Sequence, residues 1–294
     1  MKLYKTTITP TSNFITPLKG DTLFGQMCWA IRYKYGEERL QELLKEYETK
    51  PFLIVSDGFA SGYLPKPTLP SSLLHENSDE KKQNRKKIWL TLENLQNGNY
   101  NQAITNETAS NIDKTQAIVR NSINYKTSTT GDGFDPHSEV EQSLSKKDIY
   151  FLCDDNFSKE NLNETLELVS QIGYGKDSST GKGRFNIDNI ELIELHSSST
   201  TFMTLSPFVA DGIKCNNIFY EPFTRFGKSG ASRANKSPFK KPILMANSGA
   251  VIEFDSKEEF QYIGKAIKNI STYEDIVHQG YTVLLPLKDL DYEK

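Results

Sequence analysis

The amino-acid sequence predicts an α+β protein built from two tandem ferredoxin-like units, of which the second is degenerate. Two observations lead to this prediction. The apolar patterns run strand, helix, strand, insertion, strand, helix, strand as far as Leu195, which is the βαββαβ order of a ferredoxin-like unit. The remainder of the chain carries mostly strand patterns, as a less regular copy would. A chain of 294 residues is long enough for two domains, which we place at residues 1–196 and 197–294.

The first three elements follow from periodicity and from proline content. Lys2–Thr9 alternates apolar and polar residues with period two and predicts a strand. From Lys19 to Tyr35 the apolar residues cover two adjoining helical faces, so this helix should lie against a sheet, with Asp21 as its N-cap. The run PFLIVSDGF predicts a second strand, and the three prolines of GYLPKPTLP predict an extended path outside the sheet ladder.

The second helix is flanked by two predicted strands. The apolar run KDIYFLCDD precedes it, and Ser158 is placed to cap its N-terminus. Apolar residues then recur on one face until Gly173, which fits the C′ position that ends a helix. After a glycine-rich loop, RFNIDNIELIEL alternates as a long strand.

Residues 71–147 are polar and rich in asparagine, and we interpret them as an insertion in the first unit. A short helix is predicted around Lys87–Leu95. Within the same insertion, β-prone residues followed by a Gly-Asp-Gly turn predict a β-hairpin over Arg120–Phe134.

The second unit is predicted mainly from four strand-like runs, with a short helix near Glu258–Asn269. The runs are TFMTLSPFV, NIFYEPFTRF, KPILMANSGAVIEF and YTVLLPL.

The charge distribution indicates a polyanionic partner. The net charge is −3, but Lys214–Lys241 contains seven lysines and arginines against one acid, Glu221. Lys114–Thr130 contains three basic residues and no acid. Basic segments in a nearly neutral chain are typical of a protein that binds a polyanion along a track, although each segment alone could equally be a solvated face.

Composition also predicts a protein without membrane segments, metal or cofactor. No run of about 18 apolar residues is present, and the N-terminus lacks the apolar core of a signal peptide, so we expect a cytoplasmic protein. The three cysteines are far apart and form no CxxC pair, and the four histidines are scattered. We therefore expect no disulfide framework and no metal site.

The segment Gly173–Phe185, GYGKDSSTGKGRF, is the strongest candidate for an anion site. It is not a P-loop, because Lys182 is followed by Gly183 where the motif needs Ser or Thr. It is not a dinucleotide-binding turn either, because its glycine spacing differs and it leads from a helix into a strand. Both small-molecule phosphate sites are thereby excluded.

What remains is a loop whose glycines would let backbone N–H groups approach an anion. The loop adds three hydroxyls and three positive charges, from Ser178, Ser179, Thr180, Lys176, Lys182 and Arg184. A ferredoxin-like sheet also has the architecture of an RRM domain, across which extended RNA can run. The alternative is that the loop is only a flexible hairpin tip.

Four stretches together resemble one protein family. G-aromatic-G followed by G-basic-G-basic-Phe after the second helix resembles the glycine-rich loop of the RAMP superfamily of CRISPR proteins. GDTLFGQMCWAI and GYLPKPTLP resemble the first-helix and Leu-Pro-Lys-Pro motifs of the family of fourth subunits of the type III-A (Csm) effector complex. KKPILMANSGAVIEF resembles that family's C-terminal strand pair, with Ala250 where serine is commoner.

The resemblance implies two RRM-like halves and a role in capping the CRISPR RNA (crRNA) at its 5′ handle. Its implied partners are the handle and the first guide nucleotides, the large signalling subunit and the backbone RAMP subunits. It also implies that the predicted hairpin is a thumb that separates the guide from its target RNA. The thumb motif R-N-x-I matches Arg120, Asn121, Ser122 and Ile123, with Lys126 as a further basic residue.

Residue chemistry adds two more expected RNA contacts. Lys19 and Gly20 begin the first helix, where free N–H groups make an anion site. Arg225, Phe226 and Lys228 interleave basic and aromatic side chains, which suits phosphate contact and base stacking. The neighbouring Phe223 fits a stacking role and a core position equally well.

We do not expect catalysis, because no histidine has a second catalytic group at a suitable sequence spacing. The leading prediction is therefore a non-catalytic RNA-binding scaffold. One alternative is a RAMP-type, metal-independent endoribonuclease that processes repeat RNA. Another is a protein adaptor that uses the insertion and the proline-rich segment.

Overall fold

The described chain is a mixed α+β structure with mostly antiparallel sheets and few helices. It is a computed structural model that describes residues 1–130, 133, 135–195, 198–230, 233 and 237–292. The helices are α1 (Gly20–Tyr35), α2 (Glu37–Leu44), α3 (Lys81–Asn84), α4 (Leu92–Gln96) and α5 (Lys159–Ile172). None of these is long and apolar enough to cross a membrane.

Eleven strands lie in the first part of the chain. They are β1 (Lys2–Pro10), β2 (Leu53–Val55), β3 (Phe59–Ala60), β4 (Leu64–Pro65), β5 (Lys87–Leu90), β6 (Ile104–Thr105), β7 (Lys114–Arg120), β8 (His137–Ser143), β9 (Lys147–Cys153), β10 (Phe185–Ile187) and β11 (Glu191–Ile193).

Seven strands lie in the second part. They are β12 (Ser199–Thr204), β13 (Asn217–Phe219), β14 (Pro222–Arg225), β15 (Ile243–Ala246), β16 (Val251–Glu258), β17 (Tyr262–Gly264) and β18 (Tyr281–Pro286).

The first sheet has the strand order β10-β1-β9-β2, with every pair antiparallel. β11 also pairs with β1, and β3 with β9. Helices α1 and α5 contact each other, α1 contacts β2 and α5 contacts β10. The glycine-rich loop therefore leaves α5 and enters β10 at an edge of this sheet.

The starts of the two main helices differ from each other. Ser158 forms a capping box with Asn161 at α5, and Gly173 ends this helix with φ +97°, as predicted. The prediction that Asp21 caps α1 is wrong. The helix already begins at Gly20, its N-cap is Lys19, and Asp21 lies buried inside the first turn, where it pairs with other side chains.

Two further predictions are also wrong, one inside the insertion and one in the proline-rich motif just before it. Lys87–Leu95 is not one helix, because Lys87–Leu90 pairs with β4 and β6 as a strand and Thr91 then caps the short helix α4. The proline-rich motif does enter a ladder, since Leu64 pairs with Leu90. Pro65 is tolerated there because β4 is an edge strand of its sheet.

The predicted thumb is a β-hairpin, but its strands lie outside the predicted range. β7 and β8 pair from Lys114 with Ser143 to Arg120 with His137, so Arg120–Phe134 mostly forms their connection. The charged residues of HSEVEQS do not suggest a strand, although this segment forms β8. Gly131, Asp132 and Phe134 of the predicted turn lie outside the described residues.

The second half is built from strands. Five form a sheet in the order β13-β16-β12-β18-β17, and β14 and β15 form a separate ribbon. The prediction of a short helix near Glu258–Asn269 is wrong. There β16 extends to Glu258, and Tyr262–Gly264 instead pairs with β18, so main-chain pairing overrides the helical pattern of this charged stretch.

The two halves share their largest hydrophobic core. It combines residues of the first sheet and its helices with Met203, Val251 and Val283 of the second sheet. Aromatic contacts cross the same boundary, since the rings of Tyr47 and Tyr281 lie 5.6 Å apart. The predicted domain boundary, at His196 and Ser197, lies outside the described residues.

Candidate nucleic-acid interface

Two buried aromatic residues, Tyr174 and Phe185, anchor the glycine-rich loop near its two ends. Tyr174 is fully buried, and its hydroxyl donates to the carbonyl oxygen of Pro17 at 2.7 Å. Gly183 has φ +70°, and a Cβ there would lie 2.1 Å from the Tyr174 carbonyl oxygen. The glycine is needed because the two backbone segments approach closely. This packing argues against a merely flexible tip.

The loop's backbone N–H groups are already used inside the protein. The N–H groups of the four residues predicted to hold phosphates donate to neighbouring oxygens. The pairs are Gly181 to the Ser178 carbonyl (3.0 Å), Lys182 to the Asp177 carbonyl (3.2 Å), Gly183 to the Asn13 carbonyl (2.9 Å) and Arg184 to Ser12 Oγ (2.8 Å). In this conformation, phosphate contact by the loop must therefore come from its side chains.

Several loop side chains face solvent. Ser179, Thr180 and Arg184 are exposed, while Ser178 is half-buried. The Thr180 hydroxyl donates to the carbonyl of Asp177 at 2.9 Å. Among the described residues, the Arg184 guanidinium has no ion-pair partner, whereas the other two cations of the loop, Lys176 and Lys182, are each paired with a glutamate.

The other predicted cations meet an acidic cluster that the sequence interpretation missed. Lys182 Nζ lies 2.6 Å from Glu141 Oε2, and Lys176 pairs with Glu139. Arg120 pairs with both glutamates and with Asp177 of the loop. Ion pairs thus join the β7–β8 hairpin to the glycine-rich loop.

A signal for this cluster was present in the sequence. In HSEVEQS the two glutamates are two residues apart, so a strand places both on one face. Nothing local indicated that this face would meet the loop, because the contact joins residues about 40 positions apart.

Glu141 is the centre of the cluster. Its side chain is 0% exposed, and it accepts hydrogen bonds from Lys182 Nζ and, at 2.9 Å, from Asn13 Nδ2. The hydrogen bonds from Lys182, then Asn13, lower the pKa of Glu141 to about 2. The carboxylate is therefore charged at every physiological pH.

This lowered pKa predicts an acid-dependent loss of stability. Since the folded-state pKa of Glu141 lies below its unfolded value of 4.5, its contribution is complete above about pH 4.5 and is lost as the pH falls toward 2. Glu141→Gln should lower stability at pH 7 and flatten the pH dependence of unfolding in this window. Urea unfolding at several pH values measures both effects.

The matched control is Glu107→Gln, which changes an exposed glutamate of the same insertion. It should reproduce the wild-type pH profile. If the Glu141→Gln profile is also unchanged, the ion cluster does not contribute to stability.

The predicted anion site at the start of α1 is filled by a carboxylate of the chain itself. Asp57, which is 3% exposed, accepts from Gly20 N–H at 2.8 Å and from Lys19 Nζ at 2.6 Å. Ser248 Oγ donates to the same carboxylate at 2.6 Å. Asp57 thus links the start of α1 to the second half in this conformation, and a phosphate would have to displace Asp57 to bind there.

Three of the four stretches that carry the family resemblance meet at this junction, namely the start of the first-helix motif, the proline-rich motif and the C-terminal strand pair. Thr68 N–H, from the proline-rich motif, donates to the carbonyl of Gly249 at 2.8 Å. Lys19 Nζ also reaches Asn247 Oδ1 at 3.1 Å. The three motifs therefore build the contact between the halves.

A second buried ion cluster links α1 to β14. Arg225 Nη2 donates to Asp21 Oδ1 at 2.9 Å, and His278 Nε2 lies 3.2 Å from Asp21 Oδ2. Burial alone raises the pKa of Asp21, but the adjacent His278 and Arg225 lower it below its ordinary value. Arg225 is therefore engaged within the protein.

The residues around Arg225 divide between the core and the surface. Phe223 is half-buried and packs against the cluster of Val209, Ile243, Met245 and Ile270, so it is a core residue. Phe226 is 74% exposed. Lys228 lies with its Nζ 4.9 Å from the ring centre of Phe239.

The residues predicted to form the thumb also divide into two groups. Arg120 points to the loop, whereas Asn121, Ser122, Ile123 and Lys126 are exposed in the connection between β7 and β8. The structure thus brings Arg120 together with the loop residues and leaves the other four at the hairpin end.

The histidines lie in different surroundings. His278 is 5% exposed, and burial lowers its pKa. His137 is exposed at the start of β8, His75 lies in the insertion, and His196 is outside the described residues. Within the described ranges, no group of three histidine, cysteine or acidic side chains is arranged to hold a metal ion.

The fold and the loop define the class of the protein. The family model of the RAMP superfamily matches residues 8–186, more than half of the chain, and the chain belongs to this superfamily. No curated protein matches its sequence significantly.

Solved structures match over nearly the whole length. A chain of the Csm1-Csm4 cassette in complex with AMPPNP has a TM-score of 0.60 at 15% identity, with 98% of each chain covered. A chain of the Csm3-Csm4 subcomplex of the type III-A CRISPR-Cas interference complex has a TM-score of 0.58 at 16% identity. The second match covers 98% of this chain and 100% of the other. At these identities the likeness concerns the fold.

Proposed function

We propose that this protein is a non-catalytic, RNA-binding subunit of a type III-A CRISPR effector complex that caps the crRNA at its 5′ handle. The observation that carries the proposal is the full-length likeness to chains of structures that contain Csm4. Csm4 is the component that the cassette and the subcomplex have in common.

The proposed partners follow from the same structures. Csm1 and Csm3 are the other components of those assemblies, so the chain would bridge the large signalling subunit to the backbone subunits. The crRNA would contact the loop and the junction, and target RNA would pass near the thumb, where Asn121, Ser122, Ile123 and Lys126 are exposed.

The fold proposal is more specific than the α+β class. We assign residues 1–196 to a ferredoxin-like unit because the antiparallel order β10-β1-β9-β2, with α1 and α5, is the order of that fold. Residues 197–294 would be a degenerate second unit that has kept a sheet and, over its described residues, has no α-helix.

The loop would contact RNA in two ways. Arg184 and the hydroxyls of Ser179 and Thr180 face solvent and can meet phosphates directly. Lys176, Lys182 and Arg120 would bind phosphate by exchanging partners, each leaving a carboxylate of the acidic cluster for the RNA backbone. Where a cation stays paired with its carboxylate, that carboxylate would remain beside the RNA and repel its phosphates.

Arg184→Ala should weaken binding of single-stranded RNA and reduce its salt dependence. Each lost phosphate contact should make the slope of log K against log salt shallower by about 0.7. In the double variant Lys182→Ala and Arg184→Ala, the slope should become shallower by about twice this amount. Fluorescence anisotropy with a labelled handle RNA at several salt concentrations measures this.

The matched control is Lys159→Ala, because Lys159 is an exposed lysine at the opposite end of α5 from the loop. It should leave the slope unchanged. An unchanged slope in both loop variants would refute the loop's role. Specific cleavage of repeat RNA in EDTA would instead refute the non-catalytic assignment.

A further inference from the structure

The ribbon formed by β14 and β15 continues beyond the two strands. Lys240 N–H donates to the Gly227 carbonyl at 2.9 Å, and Ser229 N–H donates to the Pro238 carbonyl at 2.7 Å. These bonds flank the antiparallel pair Lys228 and Phe239. The ladder therefore extends at least as far as Ser229 and Pro238.

The register places four exposed side chains on one face of this extension. Lys228 lies directly opposite Phe239, and the alternation of exposed with less exposed residues puts Phe226 on the side of Lys228 and Lys241 on the side of Phe239. Phe226 is 74% exposed and Phe239 is 64% exposed, and both lysines face solvent. Ser229, on the opposite face, is 8% exposed. Two aromatic rings and two cations thus alternate on the outer face.

The positive charges of this face indicate which kind of molecule it binds. Arg225 and Arg233 of the same basic segment are engaged by Asp21 and Asp275, whereas Lys228 and Lys241 have no ion-pair partner among the described residues. Protein interfaces are depleted of lysine, whereas surfaces for single-stranded RNA combine cations with aromatic stacking platforms. The face therefore fits a polyanion with exposed bases better than a protein.

The ribbon and the glycine-rich loop are attached to the same turn of α1. Arg225, at the end of β14, pairs with Asp21. On the other side, Lys19 N–H donates to the Tyr174 hydroxyl at 3.2 Å. The two surfaces are thus connected through the first turn of α1.

We infer that this face is a second RNA-binding surface, on which unpaired bases stack against Phe226 and Phe239 while Lys228 and Lys241 contact phosphates. The inference rests on the proposed RNA-binding function and adds Phe239 and Lys241 to it. Stacking does not depend on base identity, so the surface binds single strands with little sequence preference.

Phe239→Leu and Phe226→Leu test the inference in the full-length protein with a labelled single-stranded RNA of mixed sequence. Each should lower the affinity about 5- to 150-fold, the range expected for one lost base stack. The salt slope should stay unchanged, because no phosphate contact is removed. Phe239→Trp should retain wild-type affinity. Phe260→Leu, at an exposed aromatic residue in the connection between β16 and β17, is the control.

The possible outcomes separate this inference from the proposed function. Unchanged affinity in both leucine variants overturns the inference alone, provided that Arg184→Ala still lowers the salt slope. Unchanged RNA affinity together with loss of a co-purifying protein also overturns it and assigns the face to a protein. Failure of the wild-type protein to bind RNA overturns both.

Discussion

Replacing Gly20 with alanine is expected to lower the free energy of unfolding by about 2–3 kcal/mol. A Cβ at this position would lie 2.2 Å from the carbonyl oxygen of Val55 and 2.8 Å from the carbonyl carbon of Ser56. Both contacts are with backbone, which cannot move aside as a side chain would. The first turn of α1 must then shift and weaken the bond between Gly20 N–H and Asp57. Urea unfolding followed by circular dichroism measures the change.

Gly25→Ala is the matched control, because Gly25 lies in the same helix with no neighbouring atom within 4 Å of its added Cβ. Alanine is a better helix former than glycine, so this variant should be up to about 1 kcal/mol more stable than wild type. Equal stabilities of the two variants would show that the close approach at Gly20 is unimportant.

Replacing Asp21 with asparagine should destabilise the protein by about 3–5 kcal/mol, the usual cost of breaking a buried ion pair. Asparagine fits the same space but leaves Arg225 without its carboxylate partner in a largely buried site. Because the pKa of Asp21 is below its ordinary value, the pair stabilises the protein above about pH 4, and this contribution falls as the pH is lowered through the folded-state pKa.

Asp211→Asn provides the control for charge removal. Asp211 pairs with Lys265 at the surface, where its side chain is 82% exposed, so its loss should change stability by less than about 1 kcal/mol. If Asp21→Asn also changes the free energy of unfolding by less than about 1 kcal/mol, the buried ion pair does not stabilise the protein as proposed. Unfolding curves of both variants at pH 7 decide the question.

Local sequence signals predicted the elements that depend on local physics. The alternation of Lys2–Thr9, the apolar faces of α1 and the Ser158 cap all act within a few residues, and each is observed. Gly173 also ends α5, as its lack of a side chain predicts. These features position the loop at the sheet edge.

The wrong predictions concern contacts between distant residues. Asp21 has the composition of a cap but lies inside the helix, because Arg225 and His278 from the second half pair with it there. Asp57 occupies the anion site at Lys19 and Gly20, which no pattern near either segment revealed. Basic residues alone indicate an RNA surface, but their acidic partners decide which of them are free.

The salt dependence of RNA binding by the wild-type protein tests the proposed RNA-binding function most directly. With phosphates held by Arg184 and by exchange at Lys176 and Lys182, the slope of log K against log salt for a single-stranded handle RNA should be about −2 or steeper. Weak binding with a slope near zero would contradict the account.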